Sequence, residues 1–179
     1  MSRARSSISF SRRAALLALV GGCGFRPIYA DGPATPGGRG NVATELAATR
    51  VALIPERMGQ LLRAALNQRL RNGSGTSAET ELRVAVSMTS QGVGVRGDDT
   101  ASRVRVSAIA NYTLTALGTR EPLVTGRAFA ADSFNLTGAE YFAAQLSGEA
   151  AEQRLTERLA DDIVAQLAAF YARRAARTS

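Results

Sequence analysis

The chain of 179 residues contains no histidine, no lysine and no tryptophan, and Cys23 is its single cysteine. These absences remove the usual general base, the amine that forms Schiff bases, internal disulfides and the ligands that zinc prefers. Carboxylates, serines and tyrosines remain, but no carboxylates form a catalytic motif and no Gly-x-Ser-x-Gly sequence occurs. We therefore predict a protein that is not an enzyme and that uses no cofactor and no metal.

Long apolar runs are missing as well, because the run near the N-terminus, residues 14–20, is far shorter than the roughly 20 residues of a membrane-spanning helix. It follows a pair of arginines and precedes two glycines and Cys23, the order of an export signal. Small residues before Cys23, with Val20 three positions upstream, resemble a bacterial lipobox, in which the cysteine sulfur receives diacylglycerol. We predict a lipoprotein signal peptide over residues 1–22 and lipid attachment at Cys23.

Other interpretations of this segment are an ordinary secretory signal with an incidental cysteine and a short buried helix. The export route is also open, because Ser11, Arg12 and Arg13 followed by Leu16 and Leu17 partly match a twin-arginine signal.

The net charge of +7 overstates the case for nucleic acid as a partner. Removal of residues 1–22 takes away Arg3, Arg5, Arg12 and Arg13 and no acidic residue, so the charge falls to +3. The remaining chain is long enough for one domain with a sizeable core. All 22 basic residues are arginines, whose forked guanidinium groups suit phosphate and carboxylate. We expect no nucleic acid partner.

The distribution of small and apolar residues divides the mature chain. Residues 30–49 contain glycines and prolines and hardly a large apolar side chain before Leu46, so we predict an acylated N-terminus and flexible tether over residues 23–49. Residues 50–175 then form the predicted domain, and residues 176–179 a basic tail.

Hydrophobic periodicity predicts the elements of this domain. A brief strand ends at Pro55, and apolar residues spaced three and four apart predict a helix over residues 56–72. Alternation predicts three successive strands, over 82–88, 104–114 and 123–134, with an irregularity near Gly126. Thr137 and Glu140 have the spacing of a capping box. The helix that follows them carries an apolar stripe at Phe142, Leu146, Ala150, Leu155, Leu159, Ile163, Leu167 and Phe170.

This order, strand-helix-strand-strand-strand-helix, predicts an α+β fold. Two helices pack on one face of a four-stranded mixed sheet to give a two-layer sandwich.

Two motifs near the predicted hairpin turn invite a functional interpretation. Gly92, Gly94 and Gly97 match a dinucleotide-binding sequence, but a strand follows where that site needs a helix, so we interpret them as a turn. Arg96, Arg103 and Arg105 cluster at the same end. Solvated surface is the plain interpretation, and a patch for anionic head groups such as lipopolysaccharide phosphates is the functional one.

Four sequences add to the lipobox: Gly-Phe-Arg-Pro-Ile-Tyr after Cys23, Ile-Pro-Glu-Arg at 54–57, Gln-Leu-Leu-Arg at 60–63 and Asp-Thr-Ala-Ser-Arg at 99–103. With these features the chain resembles the lipopolysaccharide-assembly lipoprotein family, in its alphaproteobacterial branch. It implies an outer-membrane lipoprotein on the periplasmic side that plugs the barrel of the lipopolysaccharide translocon and assists its assembly. Some members bind lipopolysaccharide directly, and Arg96, Arg103 and Arg105 are the positions that could match. Gly24 is consistent with delivery to the outer membrane.

Two alternatives belong to other functional classes. One is a tethered periplasmic lipid-binding lipoprotein without a barrel partner, and the other is a periplasmic hydrolase that uses carboxylates and has a cleft with two facing acids.

Overall fold

Alternating apolar and polar residues build the central sheet. The computed structural model describes residues 40–70, 77–95, 101–136 and 141–178. Four strands are hydrogen-bonded in chain order, with β1 parallel to β2 and the remaining pairs antiparallel. They are β1 (Thr49–Val51), β2 (Thr80–Val95), β3 (Ala101–Ala116) and β4 (Pro122–Asn135). The three strands predicted from alternation are confirmed.

Three helices complete the domain: α1 (Gly40–Ala47), α2 (Glu56–Arg69) and α3 (Tyr141–Thr178). Helix α2 packs on β1 and β2, whereas α3 packs on β3 and β4 and lies beside α2. The predicted α+β sandwich with a four-stranded mixed sheet is therefore confirmed, with one more helix than the sequence indicates.

The additional helix lies inside the predicted tether. Residues 23–49 are a flexible tether in the sequence interpretation, but Gly40–Ala47 is helical, and Val42 and Leu46 belong to the buried core. The packed domain thus begins earlier than residue 50. At the other end, α3 continues to Thr178, through most of the predicted basic tail. The signal peptide, Cys23 and the capping box at Thr137 and Glu140 lie outside the described residues.

The core lies between the sheet and the helices. It is formed by the apolar rows of the strands and by leucines of α2 and α3, including Leu62, Leu66, Leu82, Leu114, Leu155, Leu159 and Ile163, all of which are fully buried. The predicted stripe of α3 is wrong at its start, because Phe142 is 71% exposed and Leu146 52% exposed. The first turns of α3 extend past the end of the core, so the apolar spacing continues there although the side chains are not buried.

A buried polar cluster joins the C-terminal half of α3 to the first strands. The Tyr171 hydroxyl lies 3.0 Å from Thr49 Oγ1 and 3.1 Å from Thr80 Oγ1, and the Thr80 hydroxyl donates to Thr49 Oγ1 at 3.0 Å. Burial raises the pKa of Tyr171, so the phenol stays neutral. Since each hydroxyl has partners, the cluster fixes the position of α3 without an unsatisfied polar group.

Gly126 has a different role from the one its sequence context predicts. The irregularity of β4 pairing lies opposite Leu114 and Thr115, and Gly126 pairs in register with Tyr112. A Cβ atom at Gly126 would lie only 2.6 Å from Cε1 of Tyr112 and closer still to Cζ and the hydroxyl. The predicted irregularity near Gly126 lies three residues earlier, at Leu123, and the glycine is there because the Tyr112 ring needs the space.

Candidate functional site: the basic outer face of the sheet

One face of the sheet carries the candidate site. The helices pack on the face formed by the even-numbered residues of β2, β3 and β4, which include most of the buried strand residues. The odd-numbered residues of these strands, together with Arg50 of β1, which pairs with Glu81, form the opposite face, which we call the outer face. In the described ranges no helix packs on it. Side chains there are therefore free to meet a ligand or a partner.

The outer face is strongly basic. It carries Arg50, Arg83, Arg103, Arg105 and Arg127, and Glu81 is the one acidic residue that the described part of this face contains. Glu81 is already paired, because its carboxylate accepts hydrogen bonds from Arg50 at 2.6 Å and from Arg83 at 2.8 Å. The Arg50 hydrogen bond lowers the pKa of Glu81, so the carboxylate remains ionised. The net potential of this face is positive.

At the hairpin end of the face lie two of the three predicted residues. Arg103 and Arg105 are exposed and point to the same side of β3, near the β2–β3 turn. The guanidinium of Arg103 donates to Asn135 Oδ1 at 3.2 Å, across the pair that the two residues form. Arg105 has no ion pair among the residues that the structure describes. Arg96, the third predicted residue, lies outside the described residues.

The opposite end of the face has an open hollow of about 630 Å³. Its lining includes Arg83 and Arg127, with the polar side chains of Asn111, Thr113 and Thr125 between them. Sequence reasoning missed both arginines, because they belong to different strands. Alternation alone places each of them on the face away from the core, but only the strand register brings them to the same end of the sheet.

Large apolar side chains are exposed around the hairpin end. Met88, Val93, Phe142 and Leu146 are all partly or largely open to solvent. The α3 residues belong to this end because Gly148 lies against Phe134, which pairs with Val104. Val93 pairs with Arg103 on the outer face, whereas Met88 and the two α3 residues lie on the side of the helices. Exposed apolar side chains of this kind are typical of surfaces that contact another protein or a lipid.

The described residues contain no group of three or more potential metal-ligating side chains. Among the helices they form, none has the length and apolarity needed to cross a bilayer.

Comparisons with known proteins relate this fold to a family. Residues 43–167 match the family model described as LptE, lipopolysaccharide-assembly. No curated protein matches the chain. A lipoprotein from Caulobacter crescentus has a similar structure, with a TM-score of 0.64 and 22% identity, over 75% of this chain and 98% of that one.

Two more solved structures are similar. The rare lipoprotein B from Shewanella oneidensis gives a TM-score of 0.52 at 13% identity, over 68% of this chain and 92% of that one. A minor lipoprotein from Acinetobacter baumannii gives 0.55 at 15% identity, over 69% of this chain and 92% of that one. At these identities the likeness concerns the fold alone.

Proposed function

Because this chain belongs to the LptE family of lipopolysaccharide-assembly lipoproteins, we propose that it is an outer-membrane subunit of the lipopolysaccharide translocon. Acyl chains on Cys23 hold it on the periplasmic side of the membrane. Its folded domain enters the barrel of the translocon, plugs it and assists its assembly. The family match over residues 43–167, which spans almost the whole packed domain, is the observation that carries this proposal.

The structure offers two features that suit such a role. One is the group of exposed apolar side chains at the hairpin end, which a protein partner can cover. The other is the basic outer face, which suits anionic head groups. The domain acts by docking in this proposal, and no step of it needs catalysis, a cofactor or a metal.

Lipopolysaccharide itself is the proposed ligand of the hairpin end. Arg103 and Arg105 lie two residues apart on one strand face, about 7 Å from each other along β3. This spacing allows two phosphate oxygens or two neighbouring phosphates to be bound by separate guanidinium forks. Arg96 follows β2 at the same turn in the sequence and is proposed as a third contact.

The barrel partnership is tested by purification of the native protein from membranes in mild detergent. We expect a large barrel protein to co-purify in stoichiometric amount. Depletion of the protein should leave that barrel misassembled and lipopolysaccharide retained inside the cell. Recovery of an isolated monomer with bound lipid would instead support the alternative, a tethered lipid-binding lipoprotein. Normal surface lipopolysaccharide after depletion would contradict the translocon role.

The ligand contact is tested by charge reversal. We expect the double variant Arg103→Glu/Arg105→Glu to weaken lipopolysaccharide binding about tenfold at low salt, because two exposed charged contacts become repulsive. The difference should shrink as salt screens the charges. Arg173→Glu/Arg177→Glu is the matched control: both residues are exposed near the end of α3, so the net charge changes equally away from the site. Equal loss of binding in both double variants would show a general charge effect and reject the site.

A further inference from the structure

One hydrogen bond at the β1 edge of the sheet shows which backbone groups of β4 point outward at the opposite edge. The Ala52 amide donates to the Leu82 carbonyl at 2.9 Å, so Leu82 directs its backbone groups towards β1. Along a strand these groups alternate from side to side. The backbone groups of the odd-numbered β2 residues therefore point towards β3, so Arg83 and Thr113 form a hydrogen-bonded pair. The antiparallel register then makes Ala110 and Ala128 a hydrogen-bonded pair between β3 and β4. It follows that Arg127, Phe129, Ala131 and Ser133 direct their amides and carbonyls away from the sheet.

An open row of this kind is a template on which another strand can add. Helix α3 covers it with side chains. Gln166 Nε2 donates to the Arg127 carbonyl at 3.1 Å, and Arg158 Nη1 donates to the Ala131 carbonyl at 2.8 Å. The spacing of the two donors matches the spacing of the two carbonyls. The donors are eight helical residues apart and the carbonyls four strand residues apart, and each separation is about 12–13 Å.

A third outward group is covered from the strand itself. The Ser133 amide donates to Asp132 Oδ1 at 2.8 Å, and Arg154 Nε donates to the second carboxylate oxygen at 2.6 Å. Burial alone would raise the pKa of Asp132, but the hydrogen bonds from Arg154 and Ser133 lower it below its ordinary value. The carboxylate therefore stays ionised, and its two oxygens continue to accept these hydrogen bonds at the β4 edge.

The covered groups are the ones that a second copy of this chain would use. If two β4 strands pair antiparallel about a two-fold axis at Phe129, Arg127 of one copy lies opposite Ala131 of the other, and each amide points at the opposing carbonyl. No like charges meet, because Asp132 lies opposite Gly126. The two Phe129 side chains, 60% exposed in the single chain, become a cross-strand pair.

We propose that Arg158 and Gln166 hold the β4 edge closed against pairing with a second copy of this chain. Both carbonyls of the Arg127–Ala131 pair are occupied, and the capping side chains stand where the second strand would lie. This inference does not depend on the proposed function.

The test is sedimentation equilibrium of the purified, acylated full-length protein in density-matched detergent. We expect the unchanged protein to be a monomer. The double variant Arg158→Met/Gln166→Leu should dimerise with an association constant at least about tenfold higher, because the freed carbonyls can accept hydrogen bonds from the second strand. Circular dichroism shows whether the variant keeps its fold. Tyr112→Phe loses the hydrogen bond to Gln166 Oε1 but leaves both carbonyls capped, so it should stay monomeric.

Two further variants make the result specific. Ala131→Pro removes an amide that the β3 pairing does not use, so its addition to the double variant should restore the monomer. Arg57→Met/Gln68→Leu repeats the chemistry of the double variant at exposed positions of α2, which packs on β1 and β2 and not on β4, and should stay monomeric. A folded double variant that remains monomeric would overturn the proposal, as would a dimer that Ala131→Pro leaves intact, or dimerisation of the unchanged protein.

Discussion

Replacement of Gly126 by valine is expected to lower the free energy of unfolding by about 3 kcal/mol, at the upper end of what overpacking costs. The added side chain would occupy the volume of the Tyr112 ring. That ring has little freedom to move, because Tyr112 is buried and its hydroxyl donates to Gln166 Oε1 at 2.7 Å. Relief of the clash would break this hydrogen bond and disturb α3. Equilibrium unfolding in urea measures the change.

Gly148→Ala is the matched glycine control. A Cβ at Gly148 would meet Phe134 Cζ at 3.5 Å, an ordinary contact, and alanine is favoured in a helix interior. This variant should be more stable than the unchanged protein by about 0.5–1 kcal/mol. A double-mutant cycle with Tyr112→Leu should show strong coupling to Gly126→Val, because removal of the ring removes the clash. Additive losses, or an unaffected Gly126→Val protein, would refute this account of Gly126.

Replacement of Cys23 by alanine is expected to abolish acylation and to move the purified protein from the detergent phase to the aqueous phase of a phase-separating detergent. Each buried methylene of an acyl chain contributes about 0.8 kcal/mol, so loss of two long chains removes nearly all membrane affinity. The measurement is made on purified protein because a barrel partner could retain the variant in cells.

Mass spectrometry of the N-terminal peptide identifies the modification directly. Gly22→Ala keeps a small residue before the cysteine and should leave both acylation and phase behaviour unchanged. An unmodified Cys23 in the mature protein would contradict the lipoprotein anchor that we propose.

The register of the sheet, and with it the basic outer face, depends on more than the sequence pattern. Alternation in β3 predicts that Arg103 and Arg105 share a face, and they do. Alternation could not predict that Arg83 and Arg127 line the same hollow. A strand pattern gives the face on which each residue lies but not its neighbour on the next strand.

Hydrophobic periodicity did not predict helix α1, for a different reason. An eight-residue helix is too short to be stable by itself, and its residues resemble those of a linker. Val42 and Leu46 make it helical by packing into a core built by other elements. The first turns of α3 show the converse, because their apolar spacing continues where no core is left to cover Phe142 and Leu146.

The sequence by itself determined the order and type of the strands, the two longer helices and the α+β class, because these depend on local periods of two and 3.6 residues. Only the tertiary structure decided which arginines share the outer face, why position 126 is glycine and how α3 covers the β4 edge. Those features are contacts between residues distant in the chain, and their geometry is set by strand register and helix placement, which local periodicity does not encode.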